Sequence, residues 1–502
     1  MNLRQGRSLR SGRTAWSAYL YGTLAFLAIA AAAAAAYAYF DRSRLSPGEG
    51  REQLSYAPDL SRIQPNALPV VSVDDKTAQK FVVTAYGARG NGKADDTAAI
   101  QAAVDKAGAS GGGVVYLPKG VYLVSNTIVL KKNNVVLEGV GWEAELRMTK
   151  HPLRVVEIRG GVRNGVRNLQ ISLGAKGGVR NDQDEGIYVS TKASEFLIEK
   201  VLGNAKGIMV RGQVRNGIIR NNTIRDTLAD GIHITGGSTD ILIENNTLSG
   251  TGDDAIAVVS YKQQGLACER ITIKGNKIAQ SASRGIAHAG GNQVDILDNA
   301  IEDTSSSGIL VVQDTHYDTF PASRTLVRGN RVTRAGSRNA KVGNPFGIEI
   351  AKGASEVSII GNSVTESAGR GLSVTADETL IHDNTVAKSR GSGLDLQADG
   401  CTVTNNRFEE NGEYGLVATN GHRLVIWGNR LQDNNADARP NVDNLLLQNC
   451  DDATVVNNES VETRNPARVE RSYEVTGTCA RLVFDRNVTT GTMSSEQVSC
   501  KA

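Results

Sequence analysis

Three carboxylates, Asp230, Asp253 and Asp254, sit in the stretch ADGIHITGGSTDILIENNTLSGTGDDAIAVVS. Their spacing places a lone acid and an acid pair at equivalent points of two successive repeats. One carboxylic acid that protonates a leaving oxygen beside a carboxylate that activates water is the minimal equipment for acid/base hydrolysis. His233 follows Asp230 by three residues, and Arg284 occupies the equivalent point of the next repeat.

Repetition positions these groups. A motif of one variable residue, then Gly (Ala once), then an aliphatic residue recurs ten times: Glu185, Lys206, Asp230, Asp254, Arg284, Ser307, Phe346, Arg370, Ser392 and Tyr414 hold its first position. A second column, Asn222, Asn246, Asn276, Asn299, Asn330, Asn362, Asn384, Asn406, Asn429 and Asn458, runs in step with it. Short period-two runs such as ILIEN separate the columns, so each repeat of about 22 residues reads as one coil of a parallel β-helix. Stacked coils lie roughly 4.8 Å apart, close enough for the Asn column to form an amide ladder. Asn245-Asn246-Thr247 also fits a glycosylation acceptor, but the ladder explains the whole column.

The first five positions of the Gly-preceding column are all charged, and the later ones mostly are not. Asp230 and Asp254 stand about one coil apart there, so repulsion predicts that one carboxyl is pushed up toward general-acid range. It also predicts that Asn at 254 leaves stability equal or slightly higher. His233 is expected to point outward and hydrogen-bond substrate, and Arg284 to orient a carboxylate or bind an acidic sugar. His288 falls where other coils have aliphatics, so it is either a buried histidine or, as the glycines of GIAHAGG suggest, on a bulge that turns it to the cleft. Glu349 shares His233's outward column as a subsite candidate, with Lys352 three residues on. Asp182, Asp184 and Glu185 read as a solvated turn rather than a calcium site. Insertions at 314–323 (His316, Tyr317, Phe320) and 334–345 (Arg334, Arg338, Lys341) are expected to wall the cleft. The coils after Arg370 show no comparable chemistry and read as extension and cap.

Glycine at 54 of 502 residues and aromatics at 5% suit a thin aliphatic core. A net charge of +3 without a basic, aromatic-interleaved stripe disfavours nucleic acid. No cysteine or histidine spacing fits a zinc site, and no metal or cofactor is expected. Among the five cysteines, three in the last 53 residues suit one C-terminal disulfide, with buried thiols as the alternative. Residues 15–40 carry no charge and follow Arg4, Arg7, Arg10 and Arg13. This pattern predicts a basic cytoplasmic tail at 1–14, then a transmembrane anchor or a signal peptide, with everything beyond exported. Residues 41–78 read as a proline-containing extended linker and 79–502 as the β-helix.

The segment FVVTAYGARGNGKADDTAAIQAAVDKAGASGGGVVYLPKGVYL predicts a capping helix over about Asp96–Ala107, started by Asp95 or Asp96, with Ala98, Ile100, Ala103 and Val104 inward. Tyr86 to Leu123 resembles the N-terminal signature of the pectate lyase-like superfamily of right-handed β-helix carbohydrate enzymes. Within it, DGIHI followed by TGDDAIAV looks like glycoside hydrolase family 28, the polygalacturonases. The resemblance implies Asp254 as proton donor and Asp230 with Asp253 as the water-activating group. It weakens at Ser283-Arg284-Gly285, where the family has Gly-His-Gly. It weakens again at Glu349-Ile350-Ala351, where the family has Arg-Ile-Lys to hold a uronate; Lys352 is one position off. Plain polygalacturonate is therefore disfavoured. The leading expectation is a membrane-anchored, monomeric glycoside hydrolase acting on a periplasmic or extracellular polysaccharide. A uronate lyase or C5-epimerase and a non-catalytic polysaccharide scaffold are the alternatives.

Overall fold

In the computed structural model the described residues are 57–71, 79–174, 183–337, 345–491 and 493–501. The tail at 1–14, the uncharged run at 15–40, Asp182, Arg338 and Lys341 lie outside them. No described helix is long and apolar enough to cross a membrane.

Each coil contributes one short strand to each of three sheets, of 16, 16 and 15 strands, and every pairing between strands is parallel. The inward column of the third sheet, Ile232, Ile256, Ile286, Ile309 and Ile348, is in register and buried. One continuous aliphatic core follows, running from the capping helix to the last coils. The Asn ladder is present: Asn246 Nδ2 donates to Asn276 Oδ1 at 3.0 Å and to the Ile219 carbonyl at 2.9 Å. The same links join Asn384 to Asn406 and Asn458 to Asn487. Asn246 is fully buried, which excludes it as a glycosylation acceptor.

The first coil is covered by helix Thr97–Ala109, whose Ile100, Ala103, Val104 and Ala107 are buried while Ala98 faces solvent. Asp95 starts the helix, accepting from Thr97 N–H at 3.0 Å. Asp96 is buried and instead accepts from Arg89 and Gly90 N–H. The far end is tied by a Cys479–Cys500 disulfide, and Cys268, Cys401 and Cys450 are buried thiols.

Part of the expected linker lies on the solenoid. Val71 packs on Leu197, Ile218 and Leu242 on the outer face of the first sheet. Further on, Asn66 N–H donates to Asp295 at 2.6 Å and Asn66 Nδ2 to the Gln293 carbonyl at 2.9 Å. In chain order the segment thus runs as a strap from later coils back toward earlier ones.

Candidate active site

Asp230 and Asp254 each close the turn that leads into the third sheet, two residues before the register partners Ile232 and Ile256. Gly231 lets the coils approach, because a Cβ there would stand 2.6 Å from the Ala255 carbonyl oxygen. Asp254 N–H donates to Asp230 Oδ1 at 3.2 Å. One oxygen from each of Asp230, Asp253 and Asp254 lies within 4.8 Å of the others, so the structure brings the acids together.

Their environments differ. Asp254 is buried, and burial pushes its carboxyl up to about 6, opposed by Arg284 and assisted by the Asp230 charge. Arg284 N–H donates to Asp254 Oδ1 at 2.9 Å, and its Nη2 to Oδ2 at 3.0 Å. Arg284 is thereby committed to orienting Asp254, the first of the two roles the sequence allows it. Asp230 is more open and sits 2.5 Å from His233 Nδ1. His233 Nε2 is buried with no hydrogen-bond partner, so the ring serves Asp230 through Nδ1. Because Arg284 compensates Asp254, like-charge repulsion alone does not govern the cluster, and relief of repulsion in Asp254→Asn is opposed by loss of that ion pair.

Three oxygens within 4.8 Å of one another could reach one divalent cation. The guanidinium on Asp254 already provides a positive partner to one of the three, and the His233 imidazole occupies an oxygen of a second.

The other candidates separate. His288 is not on a bulge: it pairs in register with Val258 and Val311, faces the core and is fully buried. Burial lowers its imidazole to about 3, so it is a neutral core residue 3.2 Å from Thr325 Oγ1 and not a cleft ligand. Glu349 does share the outward column with His233, four register steps away, roughly 19 Å. It accepts from Ser307 Oγ at 2.7 Å. Lys352 is exposed in the turn beyond. Asp184 and Glu185 are buried and paired with His151 at 2.7 Å and Arg154 at 3.0 Å, which corrects the solvated-turn reading.

One wall was legible only in part. The insertion carrying Tyr317 is zipped to the turn after Val259 by an antiparallel Tyr261–Thr319 bridge, a Lys262–Asp318 ion pair at 2.7 Å and a bond from Phe320 N–H to the Ser260 carbonyl. Gln264 accepts from Thr235 Oγ1 at 2.8 Å, fixing the base of the wall. Tyr261 packs on Ala257, Val259 and Ala289, small side chains that leave room for its ring. Ala257 is the register partner of His233, so Tyr261 stands on the coil of the acids; burial raises its phenol, and the charge of Asp230 raises it further. Arg211, exposed on the neighbouring strand, opposes that shift. Sequence reading missed both; the signal was the 30-residue spacing between Asp254 and Arg284, long enough for an extra turn. Arg334, in the second insertion, is held by Asp303 at 2.7 Å.

Comparison with known proteins agrees with this architecture. Residues 81–309 match the family model described as rhamnogalacturonase A/epimerase, pectate lyase-like, and residues 346–499 match the right handed β-helix region. Mannuronan C5-epimerase AlgE3 of Azotobacter vinelandii is 51% identical over 67 residues, 12% of this chain and 4% of that protein. Alginate lyase 7 of the same organism is 47% identical over 68 residues, 12% of this chain and 8% of its own length. The chain therefore matches less than a tenth of these two relatives. The catalytic unit of a GH87 α-1,3-glucanase from Streptomyces thermodiastaticus superposes with a TM-score of 0.51 at 20% identity, over 85% of this chain and 71% of that one. The likeness is one of fold. Three parallel sheets, the amide ladder and both family matches make the chain a right-handed parallel β-helix protein with a pectate lyase-like N-terminal half.

Proposed function

We propose that the chain is a polysaccharide-active enzyme that hydrolyses a glycosidic bond at Asp230, Asp253 and Asp254. The observation that carries this reading is the divergence of two neighbouring carboxyls. Asp254 is buried and held up at about 6, so it keeps a proton to donate, while Asp230 is more open beside His233. Two acids pushed into different roles by their surroundings are what glycoside hydrolysis uses. Asp254 protonates the leaving oxygen; Asp230 and Asp253 orient and deprotonate the attacking water; Arg284 positions Asp254. The glucanase fold neighbour is compatible with this assignment.

A second reading, a uronate lyase or C5-epimerase, draws on the short matches to mannuronan epimerases and an alginate lyase. On that reading Asp230, the more open acid, would remove the C5 proton. The full-length protein incubated with α-1,3-glucan, alginate, rhamnogalacturonan and polygalacturonate separates the two. Hydrolysis releases reducing ends without an ultraviolet-absorbing unsaturated product, and Asp254→Asn stops it. An unsaturated product, or solvent deuterium at C5 without chain cleavage, overturns the hydrolase in favour of the second reading.

We also propose that the protein is exported, anchored by residues 15–40 and monomeric. The uncharged run behind four arginines supports the topology. A reporter fused after Ala502 is active outside the cytoplasm on this reading, and activity inside the cytoplasm refutes it.

A further inference from the structure

The acidic ridge does not end at the candidate active site. Asp443 lies two residues before Leu445, the register partner of Leu416 and Tyr473. It therefore stands in the same column as Asp254, seven coils on, roughly 34 Å away. Arg471 follows it in that column as Arg284 follows Asp254, and again both the backbone N–H and the guanidinium of the arginine face the acid.

The balance of charge differs. Arg471 is shared by three carboxylates: Glu470 at 2.5 Å, Glu474 at 3.1 Å and Asp443 at 3.5 Å. Asp443 is fully buried, and its Oδ1 has no hydrogen-bond donor. A buried, donorless carboxylate oxygen beside a second carboxyl is costly unless a proton lies between them. We infer that Asp443 and Glu474 share one proton at neutral pH and form a pH-sensitive clasp that closes the last coils of the solenoid.

The electrostatics agree. Burial pushes the Asp443 carboxyl up to about 8, the hydrogen bond to Glu474 and its charge add to this, and Arg471 opposes it. The turn before contributes Tyr414 and Glu413, the latter paired to Arg439. The last strand places neutral Gln497 opposite Glu474, and Glu496 opposite Tyr473. Among the described residues, no cation besides Arg471 is paired with Asp443 or Glu474.

The sign follows from the raised carboxyl. In an opened coil Asp443 returns toward 3.8, while the closed coil holds its proton to about 8. Closure is strongest below the lower value, weakens as pH rises between the two, and changes no further above about 8. While the closed form carries one extra proton, the opening constant rises about tenfold per pH unit.

Hydrogen exchange of the full-length protein, corrected for intrinsic rates, tests the clasp. Protection of peptides covering 441–478 is expected to fall as pH rises toward 8 and then level. In Asp443→Asn, whose amide donates to Glu474 at any pH, it is expected to be flat; Glu474→Gln gives the same result by the other partner. Equal pH dependence in wild type and either folded variant overturns the proposal. Infrared spectra of wild type with 13C-labelled carboxyls provide a second criterion: a protonated carboxyl at pH 7 that persists to about pH 8 supports the clasp, and its absence refutes it.

Discussion

Asp254 with Arg284 and Asp443 with Arg471 occupy the same column and the same step of it, and both acids are buried. Their surroundings make them different objects. Around Asp254 the second carboxyl, Asp230, comes from the coil before, sits nearer solvent and holds a histidine. Around Asp443 the second carboxyl, Glu474, comes from the coil after and competes for the same guanidinium. The first arrangement sets two carboxyls in unlike surroundings beside a zipped wall; the second sets two carboxyls on one guanidinium. A charged residue in a solenoid column takes its chemistry from which neighbouring coil supplies its partner.

Substitution at the two acids gives the widest separation between these regions. Asp254→Asn is expected to lower turnover on a polymer that the wild type cleaves by about 100-fold or more, whereas Asp443→Asn leaves turnover unchanged. Thermal melting of Asp254→Asn should move by only a few degrees, since relief from Asp230 and loss of the Arg284 partner oppose each other. Equal activity loss at both positions would erase the distinction.

The pH profile sharpens it. With Asp254 as donor, kcat/KM falls about tenfold per pH unit above about 6, where its proton is lost. Arg284 holds that carboxyl down, so Arg284→Gln moves the falling limb to higher pH. A limb that stays in place in this variant removes Asp254 from the proton-donor role.

The ladder supplies a control common to both regions. Asn246→Ala beside the site and Asn458→Ala near the end each remove stacked buried hydrogen bonds and strand the donors of Asn222 and Asn429. Each is expected to cost about 2–4 kcal/mol in chemical denaturation. A ladder residue whose loss lowers turnover per folded molecule without lowering stability would show that the column is not structural. The smallest effect is assigned to Lys352→Ala, less than about twofold in kcat/KM, because the side chain is exposed in a turn beyond Glu349.

Columns were readable because stacked coils repeat their residues at the same point. The Asn ladder, the inward isoleucines and the junction of Asp230 with Asp254 follow from that periodicity. Asp443 escaped because the motif tracked Gly at the second position, and Asn444 stands there in its coil; the string Asp443-Asn444-Leu445 followed by Arg471-Ser472-Tyr473 carries the signal. His288 was misplaced because two glycines suggested a bulge, whereas Gly290 and Gly291 take up positive φ after the strand and leave its register intact. The contact of Tyr261 with Thr319 joins loops 58 residues apart, and no local pattern encodes such a pairing.

The strap at 57–71 bears on mechanics. Pulling on the chain ahead of Tyr56 loads Asn66 and its bonds to Gln293 and Asp295 before tension reaches the first strand at Lys80. Strain therefore enters the solenoid at mid-length and in shear across a sheet face, so the capping helix and the first coil are not peeled away first.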